Sequence, residues 1–289
     1  MKKLGLMSDL HIDSNGFGDL EVQTLLDVLK EENISHLHVA GDISNQWKEI
    51  SLPFLERLAD SHTVTWNLGN HDMLGLSEED IQEESIKVYP LGDKTLVSVD
   101  GWYDYSFVPE FSYDQHLRNK RLYWFDRRLE RVGSDPEITE ALLTRLEKVL
   151  DGVTGTIVVA MHFVPHDQFL LRHPYFQRFN AFLGSPRFHK LFSRYAISDV
   201  VFGHTHHRFA NVDIDGISYH CKPLGYQREW RLVEDFFTAY PEYRIEKMYH
   251  LHKRFAAIKN LPEFQDFRRQ HLKEEFREAL TVLEYQKKI

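Results

Sequence analysis

Five times along this 289-residue chain, a short apolar segment of strand type runs straight into a cluster of glycine, aspartate, asparagine and histidine. Residues 3–8 end at Asp9, and residues 36–40 stop at Gly41-Asp42. Residues 63–68 end at Gly69-Asn70-His71-Asp72, residues 156–161 at His162, and residues 199–202 at Gly203-His204-Thr205-His206. Between the first two strands, Val22, Leu25, Leu26 and Leu29 recur at helical spacing, with Asp19 read as the N-cap. Residues 46–59 are helical in their last part, with Pro53 beginning or interrupting that helix. Ser77 and Asp80 have the spacing of a capping box for a short acidic helix, after which residues 95–99 read as a fourth strand. Residues 209–214 and 217–221 flank Asp215-Gly216, which suits a tight hairpin turn. Helix–strand alternation followed by a hairpin implies a mixed sheet, or a pair of stacked sheets, covered by helices. The chain shows no internal repeat and no low-complexity linker.

In open α/β sheets, ligands bind beyond the carboxyl ends of the strands. The five clusters therefore share one rim. They offer Asp9, His11, Asp42, Asn70, His162, His204 and His206, oxygen and imidazole donors throughout, with His71 beside them. Residues two apart in extended backbone project to the same side, so Asp9-Leu10-His11 and His204-Thr205-His206 can each present a pair of ligands to one cavity. Gly41, Gly69 and Gly203 sit where the chain must bend from strand into loop. Seven donors exceed what one tetrahedral zinc takes, and they fit two ions. Two divalent ions ~3.5–4 Å apart can activate water and stabilise the phosphoryl oxygens of an in-line displacement. Several imidazoles among carboxylates favour manganese, iron or zinc over calcium or magnesium.

In this order, Asp9-x-His11, Gly41-Asp42, Gly69-Asn70-His71-Asp72, His162 and Gly203-His204-x-His206 resemble the five motif blocks of the calcineurin-like metallophosphoesterase superfamily, of the bacterial single-domain type. The resemblance implies two stacked mixed sheets flanked by helices in a four-layer sandwich. It also implies hydrolysis of a phosphomonoester or phosphodiester, with a metal-activated hydroxide as nucleophile. By motif, Asp9, His11 and His206 would bind the first ion, Asn70, His162 and His204 the second, and Asp42 would bridge them. His71 would stay off the metals and protonate the leaving oxygen, with Asp72 holding its ring. Many relatives carry a second aspartate where this chain has Asn45, which is expected to support a ligand from behind.

The rest of the sequence bears on substrate and setting. Net charge is −9, and residues 241–289 hold eleven basic against eight acidic residues, which leaves −12 on the first 240. So acidic a body repels long polyanions. The expected partner is a small phosphorylated molecule, with neither a membrane nor nucleic acid. A nuclease acting on short or single strands, or a non-catalytic scaffold on the same fold, are the alternatives. Cys221 is the single cysteine, which together with the lack of a signal peptide or membrane-spanning run fits the cytoplasm. We read residues 1–235 as one domain with cap-like insertions at about 101–131 and 164–195, both rich in aromatics. His166, Arg172 and Arg178 in the second insertion are candidate substrate contacts, against the blander reading of the arginines as solvated charges. His36 and His38 share one strand face and read as packed histidines rather than ligands. Residues 236–289 read as a helical extension, with Leu272, Phe276, Leu280 and Leu283 as the buried stripe of its last helix.

Overall fold

The computed structural model describes residues 1–287. Strand β1 (Lys2–Met7), helix α1 (Asp19–Glu31), β2 (Ile34–Ala40), α2 (Leu52–Ala59) and β3 (Thr63–Asn67) form two successive crossovers with parallel strands. Helix α3 (Glu78–Glu84), capped by Ser77 and Asp80, leads into a second sheet. That sheet contains β4 (Ile86–Leu91) and β5 (Lys94–Val99), then, after α4 (Tyr113–Tyr123) and α5 (Asp135–Asp151), β6 (Thr156–Met161). After α6 (Arg187–Phe192) come β7 (Ile197–Phe202), β8 (Val212–Ile214) and β9 (Ile217–Cys221). Helices α7 (Arg231–Ala239), α8 (Leu251–Ile258) and α9 (Pro262–Ala279) close the chain with β10 (Thr281–Tyr285).

The strand orders are β10-β1-β2-β3 and β4-β5-β6-β7-β9-β8. Both sheets are mixed: β10, β4 and β8 pair antiparallel, and the strands leading to the polar clusters run parallel. Each strand uses its two-residue period to bury both faces. Leu4 and Leu6 of β1 pack with Val158 and Ala160 of β6 between the sheets. The alternate residues, such as Met7, Ile157 and Val159, join the larger core beneath the helices. His36 and His38 lie on β2 in this buried framework, where their nitrogens bond Thr65 Oγ1 at 2.7 and 2.9 Å and Asn67 Oδ1 at 3.0 Å.

Several local expectations change. The residue that caps α1 is Gly18, whose N–H donates to Glu21 Oε2 at 2.6 Å; Asp19 is the first helical residue. A π-type turn over Trp47–Ser51 leads into α2, with Pro53 in its first turn, where a missing N–H costs nothing. β4 precedes the strand at residues 95–99 that the sequence reading counts as the fourth, and its Pro90 is tolerated at the sheet edge. The final stripe is split: Leu272 and Phe276 are buried on α9, but the helix ends at Ala279, and Leu283 belongs to β10. The C-terminal residues thus return to the first sheet and pair with β1, from Lys2↔Tyr285 to Leu6↔Thr281.

Candidate metal centre

The polar clusters meet beyond the ends of β1, β2, β3, β6 and β7. Backbone hydrogen bonds tie the loops to one another: Asp9 N–H to Gly41 O and His11 N–H to Asp42 O, both at 3.0 Å, and Gly203 N–H to His162 O at 3.1 Å. The ligand pairs are not presented by extended backbone, as alternation along a strand would have it. Asp9, His11, Asp42, His204 and His206 have φ of +57°, +42°, +56°, +69° and +50°. A non-glycine residue in this left-handed region is uncommon and is held there by its surroundings, as functional sites often require. Gly69 and Gly203 are needed for close approach rather than for a turn. A Cβ on Gly203 would be driven into the Asp9 carboxylate, and one on Gly69 into that of Asp42.

Two groups of donor atoms result, and they share Asp42. Asp9, His11, Asp42 and His206 form one, and Asp42, His162 and His204 the other, each with its ligand atoms within 4.8 Å of one another. His11 Nε2 lies 3.0 Å from His206 Nε2, which is 3.3 Å from Asp9 Oδ1. In the second group His162 Nε2 lies 3.1 Å from His204 Nδ1, 3.2 Å from Asn70 Oδ1 and 3.3 Å from Asp42 Oδ2. Ligands bonded at ~2.1 Å to one ion sit roughly 3.0–3.4 Å apart, so these spacings suit a cation between them.

Fixed hydrogen bonds on the far side of each ring aim these lone pairs inward. His162 Nδ1 donates to Ala40 O at 3.1 Å, and His204 Nε2 to Phe182 O at 3.2 Å. His206 Nδ1 donates to Glu229 Oε2 at 2.9 Å, and Asn70 Nδ2 to Asp126 Oδ1 at 2.7 Å. His11 is instead stacked on Tyr226, ring centroids 4.3 Å apart. Such outer partners fix the tautomer and orientation of a ligand. Glu229, Asp126 and Tyr226 went unnoticed in the sequence, since they stand in no motif and meet the ligands only through the fold. Phe125 and Asp126 show that the aromatic segment 101–131 reaches the site, and the Phe182 carbonyl does the same for segment 164–195.

One atom stands out. Asp42 Oδ2 is buried with no hydrogen-bond partner among the described residues, while His162, His11 and His71 aim Nε2 at it from 3.3, 3.6 and 4.0 Å. A buried carboxylate oxygen left so is costly unless a positive charge meets it. The protein groups register the same demand. Burial would raise Asp9, but the His206 hydrogen bond and the charges of His162 and His206 hold it at about 2. Burial would lower His206, yet Asp9 and Glu229 push it up to about 10, and Asp42 raises His162 to about 9 against the same penalty. His204, whose ring makes no hydrogen bond to a carboxylate, falls to about 3 through burial and the neighbouring His162 charge. Oxygen and imidazole donors, an orphaned carboxylate oxygen and ligand-like spacing fit divalent cations.

His71 stands at the open side, its side chain 12% exposed and its ring stacked on Phe125 at 3.7 Å. Its backbone N–H donates to Asp42 Oδ1 at 2.9 Å, so the turn that carries it is tied to the residue common to both donor groups. The group on its ring is Asn45, not Asp72. Asn45 Nδ2 donates to Asp13 Oδ2 at 2.8 Å, which turns its Oδ1 toward His71 Nδ1 at 2.9 Å and requires a proton on that nitrogen. Asp72 has no oxygen to spare for the ring: it accepts the N–H groups of Ile43, Ser44 and Gly69 at 2.9, 3.0 and 2.9 Å, locking two loops together.

The remaining candidates do not join this cluster. His166 packs edge-on against His189 and pairs with Asp167 at 3.1 Å. The Arg178 guanidinium lies over the rings of Tyr123, Tyr175 and Phe179, at 4.8, 5.4 and 4.7 Å. Arg172 is exposed, and its carbonyl accepts from Gln177 Nε2 at 3.4 Å.

The family model for calcineurin-like phosphoesterases matches residues 2–208, which include every candidate ligand. None of the curated proteins matches the chain by sequence. Among solved structures, a phosphopantetheinyl hydrolase from Mycobacterium tuberculosis is similar at 22% identity and TM-score 0.60, over 80% of this chain and 92% of that one. A dimetal phosphatase from Danio rerio is similar at 18% identity and TM-score 0.44, over 77% of this chain and 87% of that one. With the family's motif blocks converging on one acid-rich, imidazole-lined rim of a four-layer sandwich, the chain belongs to the calcineurin-like phosphoesterase family and is a hydrolase of phosphoester bonds.

Proposed function

We propose that the chain hydrolyses a phosphomonoester or phosphodiester at two divalent ions of manganese, iron or zinc. Asp9, His11 and His206 would hold one, Asn70, His162 and His204 the other, with Asp42 between them. The observation that carries this reading is the buried, unpartnered Asp42 Oδ2, common to both donor groups. Cations bound there would supply Lewis acidity toward the phosphoryl oxygens and make water nucleophilic near neutral pH. Asp9 and Asp42 provide the compensating negative charge, and the anchors behind the imidazoles keep the donors in place before substrate arrives. His71 handles the proton of the leaving oxygen. Its Nδ1–H is committed to Asn45, so Nε2 is the atom that faces substrate, and the Phe125 stack fixes the plane in which it does so. Burial lowers its pKa and the Asp42 charge opposes that fall.

The substrate we propose is a small phosphorylated molecule, and the compartment the cytoplasm, where the buried, unpaired Cys221 stays a thiol. None of the helices among the described residues is long and apolar enough to cross a membrane. The test is metal analysis of the purified protein, joined to hydrolysis of p-nitrophenyl phosphate and its bis ester with Mn²⁺, Fe²⁺ or Zn²⁺. Nucleotides, cyclic nucleotides, sugar phosphates and a phosphopantetheinyl ester extend the panel, the last because a similar structure bears that name. Protein that binds none of these metals and cleaves neither chromogenic ester would defeat the proposal.

A further inference from the structure

Tyr226 has two faces in use. His11 stacks on one at 4.3 Å, nearly parallel, and the Arg228 guanidinium lies over the ring at 4.1 Å, which places it on the face His11 leaves open. Beyond this stack opens a cavity of about 420 Å³, walled by Asn15, Tyr226 and Arg228 on the metal-centre side and by His252, Phe255 and Lys259 of α8 and its end on the other. Its lining includes three basic side chains and no acidic one. The larger cavity beside His206 is different. There Arg208 and Arg231 are met by Glu275 and Glu278 at 2.5 to 3.2 Å, and Glu229 and Glu234 line the cavity as well, so that its basic groups, Lys222 among them, share it with carboxylates. Among the described residues, Lys259 and His252 have no carboxylate within 4.0 Å, and Arg228 reaches only Glu229, at 3.4 Å, whose other oxygen serves His206. On a body of charge −12, a cavity with basic side chains on both walls and no acidic one, lying one stacked ring away from a phosphoester site, suits an anionic ligand.

We infer that this cavity is a subsite for a second phosphate of the substrate, carried by the same small molecule as the scissile ester. Arg228, stiffened by its stack on Tyr226, would present two parallel N–H donors, and Lys259 a mobile point charge from the opposite wall. The segment 241–289, which carries the chain's positive excess, thereby acquires a role in substrate choice that the family motifs do not cover. This inference rests on the phosphoesterase reading above and deepens it.

The test compares kcat/KM for paired substrates with and without a second phosphate, such as adenosine 3′,5′-bisphosphate against AMP and fructose 1,6-bisphosphate against fructose 6-phosphate, in the metal-loaded protein. Wild type should prefer the doubly phosphorylated member of at least one pair, and Lys259→Glu and Arg228→Ala should each lower that preference about tenfold, the size of one charge-assisted contact. An independent readout follows the His252 imidazole signals by NMR as inorganic phosphate is added to metal-free protein; they should shift saturably in wild type and not in Lys259→Glu. A preference that is absent, or equal in wild type and variants, overturns the subsite, as does an unmoved His252 signal. Retained phosphate-dependent His252 shifts with no turnover of any ester would uphold the subsite and defeat the phosphoesterase reading alone.

Discussion

Two pairs of histidines with the same sequence spacing, all buried but the half-buried His206, do opposite things. In His36-Leu37-His38, Thr65 and Asn67 meet three of the four ring nitrogens, and burial, joined at His38 by lesser effects, leaves the rings at about 4 and about 3, hence neutral. In His204-Thr205-His206, each ring has one nitrogen anchored from behind, and the other confronts a second imidazole across about 3 Å. The first pair is satisfied by the protein; the second is satisfied only by a cation or by protons. What separates them is position, since the first lies within a strand and the second follows one, with glycine at the bend. Burial alone does not distinguish a structural histidine from a ligand. The partner on each nitrogen does.

Four experiments press on that contrast, beginning with the largest effect. Asp42→Asn removes the negative charge common to both donor groups, so both ions and all activity above the metal-free level should be lost together; two ions retained in metal analysis would place the bridge elsewhere. His71→Ala should keep both ions and cost ~10²–10⁴ in kcat/KM on an alkyl phosphate ester, with a much smaller loss on a p-nitrophenyl ester, whose leaving group needs no proton. Equal losses on the two esters would make His71 a positioning group, and loss of metal would make it a ligand.

Smaller effects should come from the anchors. Glu229→Gln and Asp126→Asn should each weaken one ion by ~10–100-fold and spare the other, because they stand behind different donor groups. Titration of the two sites with zinc in each variant reads this, and identical behaviour of the two variants would dissolve the division into groups. Least affected should be metal content in His38→Leu, which strands Asn67 Oδ1 inside the core while Thr65 keeps its bond to His36, and costs about 1–3 kcal/mol of stability in denaturant unfolding. The same variant has a pH signature. His36 and His38 titrate at 6.5 when unfolded and at about 4 and about 3 when folded, so the unfolded chain binds more protons in between. Wild-type stability should therefore fall as pH drops from about 6.5 toward 4, and His38→Leu should flatten that fall.

The donor set was legible because it is local: each ligand follows a strand within a residue or two, and the strands announce themselves by apolar runs. The anchors were not, because Asp126 lies 56 residues from Asn70 and Glu229 lies 23 from His206, with no periodicity linking them. Asp72 was read as the partner of His71 because motif order sets them side by side, yet neighbours on a chain diverge, and its carboxylate turns back to three backbone amides. Of the fold, β4 was missed, with Pro90 inside it, and β10 was concealed by leucines that happen to continue a helical spacing past Ala279. In both places an edge strand, which needs a ladder on one side only, was too weakly patterned to be seen.

The pairing of β10 with β1 has a consequence in the order of synthesis. β1 leaves the ribosome about 280 residues before residues 281–285, the partner on one of its two sides. At ~5–20 residues per second the delay is on the order of tens of seconds. Throughout it the nascent chain carries an open strand edge, which is a template for pairing with other chains. Asp9 and His11 continue directly from that strand, so the candidate metal centre is anchored to a strand whose edge is covered late, and chains released before β10 is made would disturb the donor set and gain a tendency to aggregate by one and the same defect.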